Sequence, residues 1–383
     1  MIDTASFAIQ ALNESAANGL DADALFATLQ ADYQQAQAAD PFGADARLVD
    51  DLPRLNRAQD VDGLCALLCG LVAAGVDAAT LTPPEAWAAL RDLGFVMGAI
   101  KRWGREPTAV VPALARYLLA LAAQANCLHP RDNVFTLTVA NPNDARMRTY
   151  TGAPSERAFI EAVGHSMITM DRTLVELCVL LEHPLHSAQF SAAATAATAT
   201  FQGVIDALLS TRTGVDPDWF ANQFTRNLQP ILVGGAPYHG PSADQTQMLV
   251  IDWLLYGQSY PAYLRFFHSL AQHLRPQHRQ IMAWHTKRYG ADVSLLDIVR
   301  STHAQSMAVD AAQTTTSIES IVTLLKRIRT FRYPHRKIAI DSFAMRDENR
   351  QIGSGGLTPD SDLRKLIDWT EQAIEDFQIY QRI

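Results

Sequence analysis

A histidine that directly follows a proline is the residue of this sequence best suited to chemistry. His335 lies in the stretch RTFRYPHRKIAIDSF, residues 329–343. A neutral imidazole can ligate a metal ion or accept a proton near neutral pH. At the 100° per residue of a helix, Phe331 and Ile338 fall on the same face as His335. The spacing predicts that His335 points with an apolar stripe towards the interior.

Two interpretations of this inward histidine stay open on the residues alone. In one, His335 is a core residue whose ring hydrogen-bonds a neighbouring carbonyl, as buried polar groups normally do. In the other, it is an axial ligand of a metal or haem iron in an apolar cleft. Pro334 suits the second, because it removes a backbone hydrogen bond, displaces the carbonyl of Thr330 and kinks the helix. That carbonyl would take the Nδ1–H of the ring and leave Nε2 for iron.

Cations are concentrated around the same segment. Six of them occupy twelve residues, and they are Lys326, Arg327, Arg329, Arg332, Arg336 and Lys337. Guanidinium and ammonium groups pair well with carboxylates, including the two propionates of a haem. A solvated charged face is the alternative interpretation of the run.

A glycine-rich turn, Gly353-Ser354-Gly355-Gly356, begins eighteen residues beyond the histidine. It precedes a helix start marked by Thr358 and Pro359, and backbone N–H groups in such a place bind anions. A nucleotide phosphate loop is discounted, because no strand precedes the turn and no GKS or GKT follows it. A loop that closes over a substrate carboxylate or a propionate fits better, and a flexible turn is the alternative.

The elements that must position these residues are predicted to be helical almost throughout. Hydrophobic periodicity and cap residues predict helices over 83–104, 111–128, 155–183, 191–209, 245–258, 261–284, 294–312, from 318 onwards, and 359–380. Only 135–144 alternates like a strand, and 228–244 is predicted to be a non-helical loop. We therefore predict an all-α fold, with a small domain over 1–150 and a large helical domain over 151–383.

The bulk composition excludes several classes of function. A net charge of −8 argues against nucleic acid as the main partner, and no apolar stretch is long enough for a membrane span. The N-terminus has early acids and no basic region, so no signal peptide is predicted, and four cysteines do not make a disulfide scaffold. We expect a cytoplasmic protein.

Several motifs, in order along roughly residues 50–360, resemble those of one family. They are LPRLNRAQDVDGL, LRDLGFVMGAIKRWGREPTAVVP, RTYTGAPSE, ILVGGAPYHGP, LLKRIRTFRYPHRKIAIDSF and QIGSGGLTP. The chain resembles the PrnB (monodechloroaminopyrrolnitrin synthase) family of the indoleamine/tryptophan 2,3-dioxygenase haem superfamily. The resemblance implies an indoleamine 2,3-dioxygenase-like helical fold with haem b between the large and small domains.

The resemblance also implies roles for individual residues. His335 takes the position of the proximal haem iron ligand, with Phe331, Arg332, Arg336 and Ile338 around the cofactor. Ser354 matches a serine associated with the substrate. The rest of the expected substrate site is Gly353, Gly355, Gly356 and Phe343. No catalytic residue is assigned.

Two positions depart from the family's pattern. Phe343 stands where PrnB has a tyrosine, so a hydrogen bond to the substrate, worth about 1–3 kcal/mol, would be lost. Gln229 stands where the indoleamine dioxygenases place a distal arginine. Carboxylate recognition by that route is therefore not expected.

The resemblance implies a haem-dependent oxygenase that acts with O₂ on an aromatic amino acid or indole in secondary metabolism. An external electron donor would reduce the iron, and the segments 87–100 and 155–171 would wall the pocket. A non-catalytic haem or small-ligand binding protein with a degenerate site is the alternative. A helical scaffold without a cofactor is the third possibility.

Overall fold

The chain folds almost entirely into helices, so the all-α prediction is confirmed. The structure is a computed structural model that describes residues 20–131, 134–240, 246–346, 353, 357–358 and 360–382. Within these residues the strands are two short ones that pair as an antiparallel hairpin. The indoleamine 2,3-dioxygenase-like arrangement stays a prediction.

The N-terminal half consists of short and medium helices. They are α1 (Ala22–Ala38), α2 (Leu52–Arg57), α3 (Val61–Ala73), α4 (Pro83–Arg102), α5 (Pro107–Val110), α6 (Leu114–Gln124) and α7 (Val134–Leu137). A capping box begins α4, because Thr82 and Glu85 bond each other's backbone N–H and two prolines occupy the first turn.

The C-terminal half contains the long helices. They are α8 (Pro154–Glu182), α9 (Ala188–Gly214), α10 (Pro217–Trp219), α11 (Thr246–Leu255), α12 (Pro261–Leu270), α13 (Pro276–Tyr289), α14 (Leu295–Val309), α15 (Ala311–Ala344) and α16 (Ser361–Arg382). Strands β1 (Ile231–Val233) and β2 (Ala236–Tyr238) lie between α10 and α11. Their turn is Gly234-Gly235, both at positive φ, as a tight hairpin requires.

Helices α8, α9, α15 and α16 pack side by side in that order. Small residues let α9 approach α8 closely: a Cβ on Gly203 would lie 3.1 Å from the side chain of Thr169. Within the described chain α9 alone is long and apolar enough to cross a membrane by length and composition, but it packs between α8 and α15. Its alanine-rich sequence therefore serves close helix packing here.

The hydrophobic core is continuous across the boundary predicted near residue 150. One cluster of buried side chains includes Leu29 of α1 and Ile328 of α15. A buried polar network also joins the two halves: Arg275 donates to Tyr33 (2.7 Å) and to Asp171 (2.8 Å), and Tyr33 donates to Asp171 (2.7 Å). The division into 1–150 and 151–383 stays a prediction.

Two secondary-structure predictions are wrong. The strand predicted at 135–144 is replaced by the single turn α7, and residues 134–142 are all buried, so their alternation never marked an exposed face. The helix predicted at 261–284 is interrupted by a 3₁₀ turn at Ala271–His273, and α13 restarts at Pro276. Proline in a first helical turn is favoured because its missing N–H has no partner there.

Candidate functional site

A cavity of about 450 Å³ lies between the long helices of the C-terminal half. Helices α8, α9, α11, α12, α15 and α16 line it, together with residues 217–225 and the segment after α15. The size lies within the range of small-molecule and cofactor sites, roughly 300–1,000 Å³. Its wall is rich in aromatic side chains, namely Phe159, Phe220, Phe266, Phe331 and Phe343.

One face of α15 forms the wall that carries the predicted ligand. Phe331, His335, Ile338 and Ser342 all line the cavity, at the spacings of 3, 4 and 7 residues that share a helix face. The rings of Phe331 and His335 stack with centroids 5.2 Å apart and planes 12° apart. The helix continues through Pro334 to Ala344. His335 therefore points inwards, as its spacing predicts.

The His335 ring is neutral and makes no hydrogen bond to the described residues. Burial, together with the smaller effect of the Arg332 guanidinium, lowers its pKa from 6.5 to about 4. Among the described residues no side chain or carbonyl hydrogen-bonds the ring, including the carbonyl that Pro334 was expected to free. A neutral imidazole whose ring nitrogens make no other hydrogen bond is the form that ligates a metal.

Arg332 lies behind His335 in a buried polar network. Its guanidinium pairs with Asp252 of α11 and donates to Tyr256 (3.0 Å), to the carbonyl of Leu366 (2.6 Å) and to Thr370. Burial raises the pKa of Asp252, although the adjacent guanidinium opposes this shift. The network joins α15, α11 and α16 and thereby fixes the turn of α15 that carries the histidine.

Arg336 and Ile338 take different places around the histidine. Arg336 is partly exposed and pairs with Asp360, just before α16, and it does not line the cavity. Ile338 lines the cavity beside His335. The predicted roles of Arg332, Arg336, Phe331 and Ile338 towards a cofactor stay predictions.

The predicted substrate loop reaches the cavity at its first residue. Phe343 and Gly353 both line the cavity, and a Cβ on Gly353 would lie 3.7 Å from the Phe343 ring. The Gly353 N–H donates to the carbonyl of Leu357 (2.8 Å), which closes the turn. The Arg346 guanidinium covers one face of the Phe343 ring at 3.8 Å from its centroid. Ser354, Gly355 and Gly356 lie outside the described residues.

The walls differ in part from the expectation. Residues of α8 line the cavity, as predicted for 155–171, but none of the described lining residues belongs to α4. The prediction for 87–100 is therefore wrong: α4 is buried in the N-terminal half, where Trp87 contacts Phe135. Gln229 does not line the cavity either, and its carbonyl accepts a hydrogen bond from Arg131 (2.6 Å).

Sequence reasoning missed Asp252 and Ser342, which both line the cavity. Asp252 is the single acid within the apolar helix TQMLVIDWLL. A lone acid in an apolar helix indicates a buried carboxylate, so the sequence could have identified it. Among the described residues its Oδ1 has no hydrogen-bond partner. Ser342 precedes Phe343, and its buried hydroxyl also lacks a partner in the part of the chain that the structure describes. A serine in a charged and apolar helix carries no such signal in the sequence.

The residues present fit a haem. An apolar, aromatic-walled cavity surrounds a neutral imidazole that has no hydrogen bond to the described residues. No group of three or more histidine, cysteine or acidic side chains in the described part of the chain could hold a metal ion by itself. A single axial imidazole is what a haem requires, because the porphyrin supplies the other ligands of its iron.

A comparison with protein families gives one match that spans nearly the whole chain. The family model described as "Monodechloroaminopyrrolnitrin synthase PrnB" matches residues 21–376. The match includes every helix from α1 to α15 and most of α16, so it covers all walls of the cavity.

Proposed function

The chain belongs to the PrnB family, and on that basis we propose that it is a haem b-dependent oxygenase of secondary metabolism. The substrate class that we propose is an aromatic amino acid or indole, used together with O₂. The neutral, unbonded ring of His335 in the cavity wall is the observation that carries the proposal.

Four groups of this chain would hold the cofactor. His335 would be the iron ligand, and the flat ring of Phe331 and the side chain of Ile338 would give apolar contacts beside it. Arg336, partly exposed beside the helix, has the charge to pair with a propionate. When bound, haem b supplies redox iron chemistry towards O₂, after reduction by an external electron donor.

The chain's own side chains would orient the substrate and exclude water. Five phenylalanine rings make the cavity wall apolar, which favours a flat aromatic molecule and strengthens electrostatic interactions inside. The turn at Gly353, packed near Phe343, would lie at the polar end of the substrate together with Ser354. The Asp252–Arg332 pair would hold the His335 turn in place, while burial and the Arg332 charge would keep the imidazole neutral.

Haem titration combined with turnover tests this proposal. Purified protein titrated with haem should develop the sharp Soret band of histidine-ligated haem. The ferrous form should then consume O₂ with at least one of tryptophan, indole or tyrosine. A Soret band without O₂ consumption on any of them would favour a haem-binding protein that is not an oxygenase. If no band develops, the cofactor assignment is wrong.

A further inference from the structure

The hydroxyl of Ser342 is an unused polar group in the apolar wall of the cavity. Ser342 is 5% exposed, it lines the cavity, and within the described part of the chain its Oγ has no hydrogen-bond partner. It lies seven residues after His335 on the same face of α15, about 10 Å further along the helix axis at 1.5 Å per residue.

Four other hydroxyls, on α15 or in the cavity wall, are hydrogen-bonded to their own backbone. On the exposed side of α15, Ser320 and Thr330 donate to the carbonyls four residues earlier, both at 2.9 Å. In the cavity wall, Thr211 and Thr225 do the same, at 3.0 and 2.7 Å. Ser342 departs from this pattern although burial makes an unpaired hydroxyl unfavourable.

The groups around Ser342 suit a planar ligand that approaches with the edge of its ring. Phe343 follows it directly and also lines the cavity, and Arg346 covers one face of that phenyl ring. Asn222 donates to the carbonyl of Met345 (2.9 Å) and fixes the end of α15. A planar ligand against these groups would bring its rim to the hydroxyl.

We propose that Ser342 is a specificity-determining residue, whose hydroxyl hydrogen-bonds an N–H or O–H group on the rim of an aromatic ligand. The inference rests on the proposed function only for the aromatic class of ligand. A serine oxygen can accept this bond without losing any other, because it has no hydrogen-bond partner among the residues that the structure describes. An isosteric ligand without the hydrogen leaves the hydroxyl unpaired and is therefore discriminated against.

A matched pair of ligands tests the proposal. Indole and benzothiophene have similar shapes, but a sulfur atom replaces the N–H in the second. The wild-type protein should bind indole more tightly, and Ser342→Ala should weaken indole binding about fivefold, a typical value for one neutral hydrogen bond. Benzothiophene binding should stay unchanged. Calorimetric titration of haem-loaded and haem-free protein measures both ligands.

Thermal unfolding and a control variant separate a ligand contact from a structural role. Ligand-free Ser342→Ala should unfold at the same or a higher temperature than the wild type, because it removes an unpaired buried hydroxyl. Ser320→Ala, which is partly exposed on the same helix and does not line the cavity, should change neither affinity. A lower unfolding temperature of Ser342→Ala, an equal change for both ligands, no change for either, or no indole binding by the wild type would overturn the proposal.

Haem titration of the wild type keeps the two proposals separate. A Soret band with no dependence of ligand discrimination on Ser342 contradicts this inference and leaves the proposed function standing. Discrimination that depends on Ser342 without any Soret band supports the inference and contradicts the proposed function.

Discussion

His335 differs from the other buried histidines in what surrounds its ring. His278 accepts or donates at Thr246 (2.9 Å) and lies near Asp171 (3.4 Å), and His303 bonds the carbonyl of Tyr380 (3.0 Å). His285 has no hydrogen bond to the described residues on either ring nitrogen, but it does not line the cavity between the long helices. Only in His335, among the described histidines, does an unbonded ring coincide with a cavity wall.

Asp252 is predicted to be important for stability through its pair with Arg332. Asp252→Asn removes the charge opposite a guanidinium that is 5% exposed, and breaking such a buried pair typically costs about 3–5 kcal/mol. We expect a correspondingly lower free energy of unfolding in urea. Asp368→Asn is the control, because its pair with Arg364 is about half exposed and is worth less than about 1 kcal/mol. Equal effects of the two substitutions would contradict this prediction.

For single residues, the sequence could show that a residue is unusual but not which other residues it contacts. The inward direction of His335 follows from helical periodicity, which is local. Asp252 and Arg332 are 80 positions apart in the chain, and no local rule pairs them. The unpaired state of Ser342 depends on neighbours from other helices, so it could be known only from the fold.

Helix α4 packs closely against its neighbours at Gly98. A Cβ on Gly98 would lie 2.5 Å from the carbonyl oxygen of Asn227 and 2.8 Å from the Tyr150 ring. Overpacking of this kind typically lowers the free energy of unfolding by about 1–3 kcal/mol. Gly98→Ala should therefore lower the unfolding temperature. Gly70→Ala in α3 is the matched control, because its Cβ would meet only the end of the Arg47 side chain. Alanine should stabilise that helix by up to about 1 kcal/mol. A higher unfolding temperature of Gly98→Ala would contradict this prediction.

The helices were predictable where their signals were local. Thr82 before α4 and Glu85 in its first turn specify its capping box, and the regular stripe of α15 predicts a helix that runs through Pro334. The prediction failed at 135–144, because a fully buried segment does not display an exposed face. Helix α8 begins at Pro154, one residue before the predicted start, and Ser155 accepts the N–H of Asp216 (3.1 Å).

Buried neutral histidines make the ligand-free protein acid-sensitive. Burial lowers the pKa of His273, His278, His285 and His335 from 6.5 to about 4, and that of His129 further. Between pH 6.5 and 4 the unfolded chain binds protons that the folded chain does not, so stability falls as the pH falls. Each pKa unit corresponds to about 1.4 kcal/mol. The raised pKa values of Asp252 and Glu156 act in the opposite direction.

Thermal unfolding between pH 7.5 and 4.5 checks this acid sensitivity. The unfolding temperature of the ligand-free wild type should fall over this range. The unfolding temperature of His285→Phe should fall less over this range. The ring of His285 lies between Trp253 and Tyr289, both at 5.1 Å between centroids, and a phenylalanine ring fits there. Unlike histidine, phenylalanine binds no proton. An identical pH dependence of the two proteins would contradict the assignment of this effect to His285.

The absorption spectrum of His335→Ala on addition of haem tests the central claim most directly. The wild type and His268→Ala, in which an exposed histidine on α12 is replaced, should both develop the sharp Soret band of ligated haem. His335→Ala should lack it, and added imidazole should restore it by entering the space of the missing ring. A His335→Ala spectrum identical to that of the wild type, without imidazole, would contradict the assignment of His335 as the iron ligand.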